Sequence, residues 1–409
     1  MTCEAGAVKI TEVETFVVGN PPPSFGGAYF VIAKLVTDDG LVGYGEAYGA
    51  TLRAHVTAAA IEDLADQCLI GTDPHHVERF WRRAYSRGFT QRPDVTLQGA
   101  MSALEIGCWD IIGKAAGKPC YELLGGRVHE ALRSYTYLYP RAGDRAHVYH
   151  DAEIAAERAA EEVARGFTAV KFDPAGPYTV MGGHQPRLVD IERSVTFLRT
   201  IREAVGGSAD LLVGTHGQFT PGGAIRFAHH IAPYDPLWFE EPVPPDDIPG
   251  LAQVAAHSPV PIATGERLTT KYEFARVLEA RGAAIVQPDL GRAGGLLEGK
   301  KIASIAEAFG AQVAPHCYHG PIGLAANIQL ATCSPNFLIL ECIQNLSGFH
   351  ADLLRTPITW ENGKVIPPTE PGLGVELDEE VARAHPYTGD ATHIAMWNDP
   401  LDETDPFKR

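Results

Sequence analysis

Nowhere in the 409 residues is there a run of 18 or more apolar side chains, and the first residues, Met1 to Ala5, show no basic stretch followed by an apolar core. The first absence argues against a membrane-spanning helix, and the second leads us to expect no export signal. The seven cysteines (Cys3, Cys68, Cys108, Cys120, Cys317, Cys333 and Cys342) are odd in number, scattered and free of any CxxC pair. Neither a disulfide framework nor a zinc knuckle is indicated, and a reducing cytoplasm is the expected home. Positive charge is also short: 34 Lys+Arg against 51 Asp+Glu gives a net charge of −17, which repels a phosphate backbone. Nucleic acid and membrane are therefore not expected partners.

What is present is a folded composition, 45% hydrophobic and 21% charged, with 42 glycines and 30 prolines for many short loops. The length exceeds one ordinary compact core and suits a (β/α)₈ barrel with an added cap. Ile10–Val18 and Tyr29–Val36 alternate apolar and polar residues, and Asp38-Asp39-Gly40 breaks them before Leu41–Glu46. That pattern predicts an antiparallel meander turning at Asp-Gly. From Leu52 to Leu124 the spacing becomes helical. We expect an α+β capping domain over residues 1–127, rejoined by about 355–409, and a barrel over 128–354.

After Gly125-Gly126 short apolar runs rich in β-branched residues alternate with amphipathic helices, as parallel βα units do. Strands are expected at Ser134–Tyr139, Ala169–Asp173, Leu211–Thr215, Leu237–Glu240, Ile262–Thr264, Ala284–Gln287, Gln312–Pro315 and Phe337–Glu341. The fold class is thus α/β, a modified TIM-type barrel with an α+β cap. Pro174 to His184 reads as a loop over the barrel mouth, Trp360–Leu377 as strands returning to the cap, and the acidic tail after Trp397 as mobile.

The polar residues closing these strands, His216, Glu240, Glu266, Asp289, His316 and Glu341, are 24, 26, 23, 27 and 25 positions apart. Each interval fits one strand, one helix and two turns, so six polar groups should ring one pocket at the carboxyl face. Glu240 and Glu266 in a confined mouth call for a divalent cation, and all-oxygen ligation favours Mg²⁺. His316 and Asp289 end neighbouring strands, where a carboxylate raises the basicity of an imidazole. His216 should face His316 across the pocket as a second acid/base group. Lys171 and Asp173 share one strand face. There the ammonium can stabilise an enediolate and Asp173 can orient a substrate. Tyr137, Arg292, Tyr318 and His319 are candidate substrate-binding residues, together with Asn20–Gly27 and Tyr48–Arg53. His184 reads as a solvated loop residue.

The ordered set Phe239-Glu240-Glu241-Pro242, Ala263-Thr264-Gly265-Glu266-Arg267, Gln287-Pro288-Asp289, Ala314-Pro315-His316 and Leu340-Glu341, with Asp39–Glu46 and Trp109–Lys114, resembles the enolase superfamily. More closely it resembles the mandelate racemase subgroup, and His216-Gly217 with Ala314–Gly323 is similar to its galactonate dehydratases. The resemblance implies a Mg²⁺ enzyme, a sugar-acid substrate and a homo-oligomer. It implies that His316, with Asp289, takes the C2 proton of an aldonate or aldarate, that His216 protonates the leaving C3 hydroxyl, and that Glu341 hydrogen-bonds the enediolate. The second strand carries Lys171-Phe172-Asp173 where a two-base racemase has Lys-x-Lys. Gly214 stands where the family has a metal-ligating Asp, leaving Asp173, His216 or water to fill the third position. A cycloisomerase of a sugar lactone or anhydro-sugar acid would use the same residues. A non-catalytic sugar-acid binding protein would have lost the metal with the ligand at Gly214.

Overall fold

The computed structural model describes residues 8–49, 51–89, 91, 94–175 and 183–394. The cap opens with an antiparallel meander, β1 (Ile10–Gly19), β2 (Tyr29–Thr37) and β3 (Val42–Ala47). As Asp39-Gly40 predicts, Gly40 turns the second hairpin at φ +87°. Three helices follow, α1 (Ala54–Cys68), α2 (Val77–Tyr85) and α3 (Val95–Ala116). The Asp94 carboxylate caps α3 by accepting from the Thr96 and Leu97 amides, and Gly117 ends the helix in the left-handed region. Helix α3 lies directly on β3: a β-carbon on Gly45 would fall 1.9 Å from the Ala103 carbonyl oxygen. The short α4 (Cys120–Leu123) leads out of the cap.

Eight strands then alternate with helices. They are β4 (Leu132–Tyr137), β5 (Ala169–Phe172), β6 (Asp210–Gly214), β7 (Pro236–Glu240), β8 (Ile262–Thr264), β9 (Ile285–Val286), β10 (Gln312–Val313) and β11 (Leu340–Cys342). The intervening helices are α5 (Ala152–Arg165), α6 (Leu188–Val205), α7 (Pro221–Ile231), α8 (Ile248–His257), α9 (Thr270–Glu279), α10 (Leu296–Ala308) and α11 (Pro321–Thr332). Neighbouring strands pair in parallel from β4 to β10, and β11 pairs with β4. A Val313–Phe337 bridge closes the ring between β10 and the run into β11. All eight expected strands are present.

The interior packs Tyr135, Ala169, Leu212, Trp238, Ala263, Ile285, Ala314 and Ile339, one residue from each strand or its immediate flank. Side chains alternate along a strand, so this layer fixes which later residues point inward. Two positions on stand Tyr137, Lys171, Gly214, Glu240, Gln287, His316 and Glu341. The apolar plug thus gives way to a floor of polar side chains two positions later on six of the eight strands, the exceptions being Gly214 and Gly265.

Two departures concern the connections. Trp360–Leu377 does not run straight back to the cap. Its first part forms a hairpin, β12 (Trp360–Glu361) with β13 (Lys364–Val365), which pairs antiparallel with β4. Trp360 holds it there, donating to Ser134 Oγ at 3.0 Å and packing on Phe167 with ring centroids 4.7 Å apart. The return to the cap begins at Leu373, whose amide donates to Asp110, and continues through a Val18–Pro386 bridge and an Arg53–Thr392 bridge. Of the Pro174–His184 loop, residues 176–182 lie outside the described residues, as does the tail after Trp397. His184 is exposed and pairs through its backbone with Phe219.

Candidate active site

The polar floor opens into a cavity of about 260 Å³. Its barrel wall includes Tyr137, Tyr139, Tyr149, Asp173, His216, Glu266, His316 and Tyr318, its cap wall Ser24, Phe25 and Tyr48, and Ile394 arrives from the C-terminal return. Of the six side chains expected to ring one pocket, His216, Glu266 and His316 line this cavity, while Glu240, Asp289 and Glu341 are buried beside them. His316 Nδ1 donates to Asp289 Oδ2 at 2.7 Å, and its Nε2 faces Glu266 at 3.5 Å and Glu341 at 3.9 Å. His216 lies on the other side of Glu266, its Nε2 3.8 Å from Glu266 Oε1 and its Nδ1 3.9 Å from Asp173 Oδ1. One carboxylate therefore stands between two imidazoles.

Lys171 is fully buried and donates to Glu240, with Glu341 at 3.6 Å and the Tyr137 ring beneath it at 4.8 Å. Burial pulls its pKa down, but Glu240, Glu341 and Glu266 outweigh that and hold the ammonium well above its usual range. The other Glu240 oxygen accepts from Trp238 Nε1 at 2.9 Å and Gln287 Nε2 at 2.7 Å. Beside it, Glu241 pairs with Arg267 and is pushed up to about 8 by burial.

The electrostatics around Glu266 are lopsided. Burial pushes its pKa up, yet His316, His216 and Lys171 hold it far below the carboxylate range. His316 has burial against it, but Glu266, Glu341 and Asp289 raise it to about 9. Burial takes His216 down to about 4. The carboxylates around His316 thus favour its protonated form, whereas burial favours the neutral form of His216.

Two expected substrate contacts lie elsewhere. Arg292 is buried behind the wall, 4.0 Å over the Tyr48 ring and donating to the Glu266 carbonyl. His319 sits behind Asp289 at 3.4 Å. Neither lines the cavity, because both belong to loop positions whose side chains turn toward the cap. Sequence reasoning also missed the buried cap carboxylates. Glu46 accepts from the Gly320 and Gly323 amides at the start of α11. Glu105, pushed up to about 8 by burial, accepts from Leu296 and Leu297 at the start of α10. Both offer negative charge to helix N-termini, and only the docked cap brings them there.

The donors suit a hard cation in kind. Among the described residues Glu266 Oε2 is buried without a hydrogen bond, Glu240 supplies a second carboxylate, and a β-carbon on Gly214 would fall 2.3 Å from Asp173 Oδ1. Among the described residues no three acidic, histidine or cysteine side chains form a ready-made metal cage. Mg²⁺ does not require one, since it commonly keeps waters and takes one or two carboxylates.

Comparison with known proteins agrees with this architecture. The mandelate racemase/muconate lactonizing enzyme N-terminal domain matches residues 13–125, and the enolase C-terminal domain-like family matches residues 155–381. The chain is 36% identical over 385 residues to a D-galactonate dehydratase of Ralstonia pickettii, covering 91% of this chain and 93% of that protein. It is 31% identical to a D-gluconate dehydratase of Thermoproteus tenax, covering 91% of this chain and 73% of that protein. A crystal structure of a mandelate racemase/muconate lactonizing enzyme from a Sulfitobacter species superimposes with a TM-score of 0.94 at 53% identity, over 97% of this chain and 100% of that one. With its cap, its barrel and its ring of strand-end acids, the chain belongs to the mandelate racemase subgroup of the enolase superfamily and is an enzyme.

Proposed function

We propose that the chain is a sugar-acid hydro-lyase that removes water across C2 and C3 of an aldonate or aldarate to give the 2-keto-3-deoxy acid. The observation that carries this reading is the pair of imidazoles, His316 and His216, flanking Glu266 in one cavity. The names of the dehydratases it resembles support the reaction type.

His316 Nε2 takes the C2 proton while Asp289 holds its Nδ1–H and keeps the ring oriented. Lys171 and Glu341 on the floor stabilise and position the enediolate oxygens. His216 delivers a proton to the C3 hydroxyl as it departs as water, and the resulting enol becomes the 2-keto acid. Asp173, Tyr137 and Tyr318 contact the substrate. Mg²⁺, held by Glu240, Glu266 and Asp173, would supply positive charge at the carboxylate oxygens. Glu266, Glu341 and Asp289 raise the basicity of His316, which suits its ring to receive the C2 proton. The developing enediolate charge raises His216 in turn. The same reading takes the chain to be a cytoplasmic homo-oligomer, which light scattering tests.

Incubation with a panel of aldonates and aldarates, read out as 2-keto acid, tests the reaction. Formation of a ring-opened isomer without loss of water would replace dehydration by cycloisomerisation. Binding without turnover or metal dependence would leave a sugar-acid binding protein.

A further inference from the structure

Tyr139 follows the first barrel strand, and its ring is part of the cavity wall. It stacks on Phe25 of the cap with centroids 4.2 Å apart and planes 28° apart, and it lies 6.2 Å from the Tyr137 ring. The Phe25 loop is itself pinned. Asn20 Nδ2 donates to the Phe25 and Gly27 carbonyls at 2.9 and 2.8 Å, and Ser24 Oγ donates to the Asn20 carbonyl. Tyr139 is therefore clamped between cap and barrel.

Its hydroxyl is buried and makes no hydrogen bond among the described residues. Neighbouring tyrosines of the cavity differ: Tyr137 donates to Asp173 Oδ1 at 3.4 Å, and Tyr318 interacts with the Gly26 backbone. A buried hydroxyl without a partner forfeits its bonds to water, and folded proteins rarely leave one in that state. Tyr318, Tyr149 and Glu341 are near enough to act on it electrostatically, and burial first, then these groups, raise its pKa well above the phenol value. It thus keeps its proton and remains a donor. The missing partner is an acceptor, and the cavity is where a ligand brings one.

We propose that Tyr139 is a specificity-determining residue whose hydroxyl donates a hydrogen bond to one oxygen of the bound substrate. The ligand class is a polyhydroxylated monoacid or diacid, in which one particular hydroxyl position completes the site. This rests on the sugar-acid reading above. A site built around such a donor penalises an analogue that lacks the matching oxygen.

The test pairs Tyr139→Phe with monodeoxy analogues of whichever sugar acid in the panel gives the largest thermal shift. The free variant should melt at or above the wild-type temperature, because an unsatisfied hydroxyl has been removed. Affinity for the parent acid should fall about tenfold, as one hydrogen bond predicts. One deoxy analogue should bind wild type and variant equally. Unchanged affinity for the parent acid, or the same loss with every analogue, would overturn the proposal, and so would a variant that melts well below wild type. Both readouts are of binding, so a sugar acid that shifts the melt but yields no 2-keto acid would sink the dehydratase reading and leave Tyr139 still judged.

Discussion

The carboxylate of Asp173 occupies the space above Gly214: a side chain starting at that glycine would collide with Asp173 Oδ1 at 2.3 Å. The two residues lie side by side on adjacent strands, one step beyond the Phe172–Val213 register pair. Asp173, just past the end of β5, thus places a carboxylate beside the end of β6.

This makes Gly214→Ala disruptive although it adds one methyl group. We expect a loss of about 1–3 kcal/mol from overpacking, measured by denaturant unfolding. Titration calorimetry with Mn²⁺ should show binding to wild type, weakening of roughly tenfold, or 1.4 kcal/mol, in Asp173→Asn, and recovery in Asp173→Ala combined with Gly214→Asp, where the colliding side chain is gone. Equal binding by Asp173→Asn would remove Asp173 as a ligand.

His316→Asn should abolish exchange of the substrate α-proton in deuterated water without unfolding the chain. His216→Asn should keep exchange and slow elimination by about 10²–10⁴-fold, as loss of a general acid does. Exchange lost only in His216→Asn would reverse the two roles, and exchange lost in both would make His216 a metal ligand.

Glu46→Ala leaves the Gly320 and Gly323 amides buried without acceptors. The cost should be about 2–3 kcal/mol of stability, with a fall in kcat because Tyr318 and His316 precede that helix start. A variant as stable and active as wild type would mean that water substitutes for the carboxylate.

His393 is buried among Tyr29, Tyr48 and Tyr318, bonds to the Tyr318 carbonyl, and is pushed down to about 4 by burial. With its folded pKa below the unfolded value near 6.5, the unfolded state binds the extra proton in this window. Its contribution is present above pH 6.5 and is lost as pH falls toward 4. Wild type should therefore lose roughly 3 kcal/mol more than His393→Gln between pH 7 and 4. Parallel pH profiles of unfolding would refute this.

Periodicity alone placed the eight barrel strands and the meander, and strand-end spacing picked out Glu266, His216 and His316, which line the cavity. A parallel strand buried on both faces needs a continuous apolar run, so a lone polar residue at its end is conspicuous, as Glu240 and His316 are. Trp360 misled because a short two-residue strand carries too little pattern to say which sheet edge it joins. Arg292 and His319 misled because loop side chains have no fixed parity.

The chain's own order of residues determined which groups stand at the strand ends, since a side-chain period of two is a local property. Only the closed barrel and docked cap decided that Asp173 fills the place beside Gly214, that Glu266 is shared by two imidazoles, and that Glu46 and Glu105 reach helix starts hundreds of residues away. Those relations depend on distances through space between segments remote in sequence, and no local pattern encodes them.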